Sequence, residues 1–153
     1  MASPPEVRIV EVGPRDGLQN ISKAIPTPTK IELIEHLLAA GLRTIEITSA
    51  VSPKYIPQLA DNQQVLSHSS VQAMISHNPL RMPVLVPNRK GLEFALKHGV
   101  REIAVFVSAT EGFSKANTNC TVEEGLRRAK EVAEIAGQAA VQVRGCVDLS
   151  ERV

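Results

Sequence analysis

Two adjacent residues of opposite charge, Arg15 and Asp16, stand in the segment Glu11-Val12-Gly13-Pro14-Arg15-Asp16-Gly17-Leu18-Gln19-Asn20, at the end of an apolar run from Val7 to Val12. An aspartate is a hard oxygen ligand suited to Mg²⁺ or Mn²⁺. An arginine is a fixed cation able to stabilise an enolate oxygen. Both would project from the C-terminal end of a strand, where barrels and open α/β sheets place their sites. The same Pro-x-Asp-Gly string also suits a tight turn, and chemistry alone leaves both readings open. A further carboxylate, Glu46, lies inside Thr44-Ile45-Glu46-Ile47-Thr48. On residue types alone, a buried ion pair with Arg15 or Arg144 is its default role.

These side chains need a scaffold, and the hydropathy pattern supplies one. Five Val- and Ile-rich runs alternate with four helix-like stretches. The strands are expected at 7–12, 44–48, 82–86, 102–107 and 141–144. Thr27-Pro28 reads as a helix start, a Thr cap with Pro at the first helical position. Ile31, Ile34, Leu37 and Leu38 then line one helical face, and Gly41 follows where a left-handed cap is needed. A second helix is expected within Tyr55 to Leu66, and a third from the Asn88 cap through Lys97. The longest should start at the capping box Thr121-x-x-Glu124. The polar stretch His68 to Arg81 reads mostly as loop. Gly41-Leu42-Arg43-Thr44-Ile45 and Gly99-Val100-Arg101-Glu102-Ile103 echo each other as repeated helix-to-strand joints.

Alternating strands and helices mean a parallel sheet with right-handed crossovers. An open flavodoxin-like sheet fits this length as it stands. The first five strands of an eight-stranded barrel fit it as well. Polar residues sharing one strand face, Thr44, Glu46 and Thr48 on one run and Gln142 and Arg144 on another, suit a barrel lumen better than a helix-covered central strand.

Composition narrows the function. The 153 residues are 43% apolar and 22% charged, a single folded domain's worth. A formal charge of +1, one Tyr, three Phe and no Trp offer no footprint for nucleic acid. No apolar run is long enough to cross a membrane. Only Met1 to Glu6 precede the first strand run and no targeting segment is read there, so a cytoplasmic location is expected. Cys120 and Cys146 make neither a disulfide framework nor a zinc site. Cys120 reads as a semi-buried thiol, and His36 and His98 as helix-end residues. Arg127, Arg128 and Lys130 read as a solvated helix face.

The long string Glu11 to Asn20 closely resembles the opening of the 3-hydroxy-3-methylglutaryl-CoA lyase family, within the pyruvate carboxyltransferase-like barrels. Ile45-Glu46-Ile47-Thr48-Ser49-Ala50-Val51-Ser52-Pro53-Lys54 is similar to that family's second strand and loop. Pro83-Val84-Leu85-Val86-Pro87-Asn88 is similar to its third strand, and Lys115-Ala116-Asn117-Thr118-Asn119-Cys120 to its fourth loop. The resemblance implies an incomplete (β/α)₈ barrel of about five strands and four helices, and metal-dependent retro-Claisen cleavage of hydroxymethylglutaryl-CoA to acetyl-CoA and acetoacetate. It implies catalytic roles for Arg15 and Glu46 and a metal-ligand role for Asp16 toward Mg²⁺ or Mn²⁺. It also implies acyl-CoA contacts from Arg15, Gln19, Ser49 and Asn117, and a mitochondrial matrix or peroxisomal location as alternatives.

The family's His-x-His metal ligands and its later catalytic cysteine loop have no counterpart here: no two of His36, His68, His77 and His98 are separated by one residue. The domain is expected at 7–147, between a tail at 1–6 and a divergent tail at 148–153. The expectation is a lyase-like chain inactive alone, with exposed strand edges open to self-association. Two alternatives stand beside it. One is a relative of acyl-CoA aldolases such as homocitrate or isopropylmalate synthase. The other is a non-catalytic half-barrel that binds a partner.

Overall fold

The computed structural model describes residues 7–148. Its elements run α1 (Thr27–Ala39), β1 (Thr48–Ser49), α2 (Asn62–Ser67), α3 (Ser69–His77), β2 (Val84–Leu85), α4 (Arg89–Lys97), β3 (Glu102–Ser108), α5 (Glu111–Thr118), α6 (Val122–Gln138) and β4 (Gln142–Asp148). A π-helical turn at Gly13–Gly17 and a 3₁₀ turn at Pro57–Leu59 complete the set. The four strands pair in parallel in the order β1-β2-β3-β4. This is an α/β fold.

Burial follows the pleat. Ile103 and Val105 of β3 join Ile34 of α1, Leu66 of α2, Leu92 of α4 and Val132 and Ala136 of α6 in one apolar core. The opposite face carries Glu102, Ala104, Phe106 and Ser108, in register with Gln142, Arg144, Cys146 and Asp148 of β4. Helices thus pack on the apolar face while charge lines the other. A doubly wound sheet would bury both faces under helices. A barrel segment, with helices outside and polar groups toward the lumen, accounts for the asymmetry.

Several elements differ from the sequence reading. The run 7–12 is not a strand. It contributes one parallel bridge, Glu11 to Ile45, with Glu11 N donating to Thr44 O and Glu46 N donating to Glu11 O. Val7 and Ile9 are 85% and 72% exposed, so this run has no apolar burial to hold it in a ladder. His68 to Arg81 is largely helix α3. His68 caps it by accepting from Ser70 N, and Val71 and Ile75 are buried four residues apart. The polar surroundings of those two residues hid the period. The helix expected within Tyr55 to Leu66 is split into the 3₁₀ turn and α2. Helix α5, unexpected, is capped by Thr110 and ends at Asn119 in the left-handed region. Strand β4 continues to Asp148, past the expected boundary at 147, while the tails 1–6 and 149–153 lie outside the described residues.

The capping signals hold in part. Asn88 accepts from Gly91 N at 3.1 Å as expected. Thr27 does not cap α1, because its hydroxyl donates to Asp61 Oδ2 at 2.7 Å and Pro26 takes the cap position. Gly41 follows α1 at φ +93°, where a side chain would be strained. Thr121 accepts from Glu124 N, so half of the capping box forms. The Glu124 carboxylate accepts instead from Arg127 and Arg128. Those bonds, Arg127 first, hold it down at about 2.

A depressed carboxyl contributes stability above its ordinary value of 4.5, and that contribution is lost as pH falls toward about 2. Amide exchange in the first turns of α6 should therefore be faster in Glu124→Gln than in the parent at pH 6. The two should converge near pH 2. A gap that stays constant with pH would show that the carboxylate's charge is not the cause.

Among the described residues, no helix is long and apolar enough to cross a membrane.

Candidate functional site

The site grows from the turn after the Glu11 bridge. Glu11 Oε1 accepts from Gly13 N at 2.6 Å, folding the carboxylate over the turn. A Cβ at residue 13 would meet that oxygen at 2.7 Å, so a side chain there would push the Glu11 carboxylate off the turn. Asp16 N donates to Val12 O at 2.7 Å, closing the turn and lifting Arg15 and Asp16 together off the sheet end. Such π-helical turns recur at functional sites.

Arg15 is held from two sides. Its Nη1 donates to Asp16 Oδ1 at 2.8 Å, and its Nε donates to Glu46. Arg144 Nη2 donates to the second oxygen of Glu46. Glu46 is fully buried, so one carboxylate bridges two guanidinium groups away from water. Charge-assisted bonds of this kind fix the planes of both arginines. The ion-pair default therefore describes Glu46 correctly, and it names both partners. Arg144, which the sequence offers only as an ion-pair alternative, is part of the site.

A bulge follows Glu46 on the same strand run. Ile47 N donates to Pro83 O and Ala50 N to Leu85 O, so three residue steps on one strand oppose two on its neighbour. One extra residue reverses the pleat locally. Ser49 stands in the row Ser49–Leu85–Ala104–Arg144 and so shares its face with Glu46. Thr48 stands in the row with Val84 and Ile103 and turns toward the helices. The expectation that Thr44, Glu46 and Thr48 share one face is corrected for Thr48. Simple alternation cannot reveal an inserted residue.

The remaining candidates separate. Gln19 Nε2 donates to Asp16 Oδ1 at 2.8 Å, so it belongs to the cluster. Ser49 is buried, with its hydroxyl 3.4 Å from Leu85 O and 3.2 Å from Val51 N. Asn117 is exposed on α5, and no bond joins it to the Arg15 cluster among the described residues.

A further charge pair lies on the same sheet face. Arg8 donates to Glu102, which is 2% exposed. Burial, then the neighbouring Arg81 and Arg144 guanidinium groups, push Arg8 below the usual arginine value. Arg81 donates to Thr44 Oγ1 at 3.2 Å. The sequence signal for this pair was a charged residue opening strand β3.

The implied divalent metal does not fit these donors alone. Both oxygens of Glu46 are committed to arginines, and Asp16 Oδ1 serves Arg15 and Gln19. Among the described residues no three His, Cys, Asp or Glu side chains converge as a ligand group, and one carboxylate oxygen does not satisfy a six-coordinate cation.

The chain is similar to known proteins over nearly its whole length. The family model described as HMGL-like matches residues 6–153. The mitochondrial hydroxymethylglutaryl-CoA lyase of Arabidopsis thaliana is 49% identical over 144 residues, covering 94% of this chain and 30% of the relative. The crystal structure of the HMG-CoA lyase from Brucella melitensis superposes with a TM-score of 0.82 at 45% identity, covering 94% of this chain and 49% of that one. An HMG-CoA lyase from Acinetobacter baumannii, solved in complex with coenzyme A and 3-methylmalate, gives 0.76 at 33% identity, covering 92% and 44%. The chain spans under half the length of each.

Proposed function

The chain belongs to the HMGL-like family, and on that premise we propose that it carries the acyl-CoA anion-binding side of a hydroxymethylglutaryl-CoA lyase barrel. The observation that supports this best is the buried Glu46 carboxylate clamped between Arg15 and Arg144. It fixes Arg15 in the turn after the Glu11 bridge, the place we assign to a thioester oxygen that gains charge during cleavage.

In the proposed reaction the substrate's tertiary alcohol gives up its proton and becomes the ketone of acetoacetate. The carbon–carbon bond breaks, and its electron pair moves onto the thioester oxygen as an enolate, which then takes a proton to give acetyl-CoA. Arg15 is the residue we assign to that oxygen, with Glu46 holding it. A preset guanidinium needs no reorganisation as the charge develops. Asp16 is assigned as one ligand of a divalent metal in a site whose other ligands the described residues do not supply. Gln19 is assigned to orient Asp16, and Ser49 and Asn117 to border the acyl-CoA. The lyase unit is taken as 7–147, in a cytoplasmic setting.

Beside Arg15, Glu46 is committed to two arginines and Asp16 Oδ1 to Arg15 and Gln19. Glu46 is neutralised by two arginines, so turnover by this chain alone is not expected. With hydroxymethylglutaryl-CoA and Mg²⁺ or Mn²⁺ the purified chain should bind the thioester and release no acetoacetate. Arg15→Gln should weaken that binding by about tenfold to a hundredfold, the worth of one hydrogen bond to a charged group. Acetoacetate release abolished by Asp16→Asn would overturn the assignment of a half-site.

A second reading rests on a different observation. An apolar groove of about 450 Å³ runs between α6 and the sheet edge, lined by Val105, Val107, Leu126, Ala129, Val143 and Val147. Val147 and Leu126 are 67% and 52% exposed. Failure to bind any acyl-CoA would favour a non-catalytic half-barrel that uses this edge for a partner or a second copy.

A further inference from the structure

Three buried side-chain atoms among the described residues have no hydrogen-bond partner: Glu102 Oε2, Ser108 Oγ and Arg144 Nε. Glu102 and Arg144 occupy neighbouring strands on the same face. Glu102 is in register with Gln142 and Arg144 with Ala104, so they are one pleat repeat apart. One orphan atom is an acceptor and the other a donor, yet they do not bond to each other. Leaving both unpaired would cost a desolvation penalty twice over, the larger because both groups are charged.

The group that satisfies both must donate to a carboxylate and accept from a guanidinium. A second cation satisfies only Glu102, and an anion only Arg144. Water does both, and buried waters characteristically bridge such pairs. Each end of this pair is already tied down. Glu102 receives Arg8 on its other oxygen, and Arg144 reaches Glu46 through Nη2.

We infer that Glu102 is a positioning residue for Arg15, acting through a buried water to Arg144 and through Arg144 to Glu46. The water joins two separate ion pairs into one line, Arg8–Glu102–water–Arg144–Glu46–Arg15. The orientation of the Arg15 guanidinium then depends on a carboxylate that never touches it. The functional meaning rests on the assignment of Arg15 to the acyl-CoA anion, whereas the line of bonds does not.

The first test needs no variant. A high-resolution crystal structure of the chain should show one ordered water about 2.7–3.2 Å from both Glu102 Oε2 and Arg144 Nε. A direct bond between the two side chains, or no density between them, overturns the inference.

The second test follows the Arg15 and Arg144 Nε–H resonances in the ¹⁵N-labelled chain. Glu102→Leu should shift both and speed their exchange about tenfold, as loss of a charge-assisted network bond would. Glu102→Gln keeps an oxygen for the water and should restore both. A merely structural role for Glu102 would lower Tm in Glu102→Leu and leave the Arg15 resonance unmoved, which refutes the positioning role. Failure of Glu102→Gln to restore Arg15 would place the effect in the charge on Arg8 and refute the water link. If Glu102→Leu does not fold, the parent crystal structure and Glu102→Gln still decide. A parent chain that binds no acyl-CoA would remove the proposed function and leave these resonances where the line of bonds puts them.

Discussion

Glu46→Leu should destabilise the fold by about 3–5 kcal/mol, the cost of stranding a buried charge whose partner has been removed. Two guanidinium groups lose their shared acceptor at once, because each oxygen of Glu46 serves a different arginine. Arg15 keeps Asp16, which is half exposed. Among the described residues Arg144 has no other acidic partner and is the worse stranded. A domain of this size has a total stability of roughly 5–15 kcal/mol, so the variant should be marginal. Urea unfolding should show a lower midpoint with an unchanged slope.

The same physics gives a control. Replacing Arg15, Glu46 and Arg144 together by apolar residues of similar volume is often neutral or stabilising at buried triads. A triple variant more stable than Glu46→Leu would show that the triad is kept for orientation rather than for stability. A Glu46→Leu midpoint equal to the parent's would show that water reaches the arginines and that the triad is not the dry clamp described above.

Ile103→Ala should be nearly as damaging, at about 3–4 kcal/mol. Ile103 is fully buried in β3, between Val84 of β2 and Val143 of β4 in register. Truncation removes three carbons, worth about 0.8 kcal/mol each in transfer, and the cavity adds to that. Strands flank the site on both sides, so the surroundings cannot collapse to fill it. Ile31, on the helix α1 and 4% exposed, has more freedom to relax. Ile31→Ala should cost less, near 2 kcal/mol, the lower end of the range for such truncations. An Ile103→Ala loss no larger than that of Ile31→Ala would mean that the sheet centre is less tightly packed than the register implies.

The sequence was readable where one physical signal dominated. Val- and Ile-rich runs located β2, β3 and β4, since only burial between helices and lumen tolerates them. The Asn88 cap fixed the start of α4 because no other group competes for its oxygen. Thr27 misled for the opposite reason: Asp61, thirty-four residues on, takes its hydroxyl. Val7 to Val12 has strand composition and only a single bridge, because composition cannot report whether neighbours cover Val7 and Ile9. The segment holding Arg15 and Asp16 was legible as a turn, and a turn forms there, closed by Asp16 N donating to Val12 O. What the sequence left open was which of Arg15 and Arg144 Glu46 would meet, since it meets both, the second ninety-eight residues away, and what it did not reach was the partnership of Arg8 with Glu102. Long-range ion pairs leave no period in a sequence.

The extra residue at Ile47–Ala50 sets a limit on exchange between homologues. To a sequence aligner Thr44 to Ser49 is one uninterrupted strand, yet its two halves have opposite inside–outside parity. A chimera joined within it inherits the parity of each parent separately, and it works only if both carry the insertion at the same place. A parent without it would deliver Ser49 to the helices and Thr48 to the lumen, with every residue type unchanged. Cross-over points on either side of 46–49 avoid this. The bulge thus divides the chain into recombination blocks whose border no composition or identity score would mark.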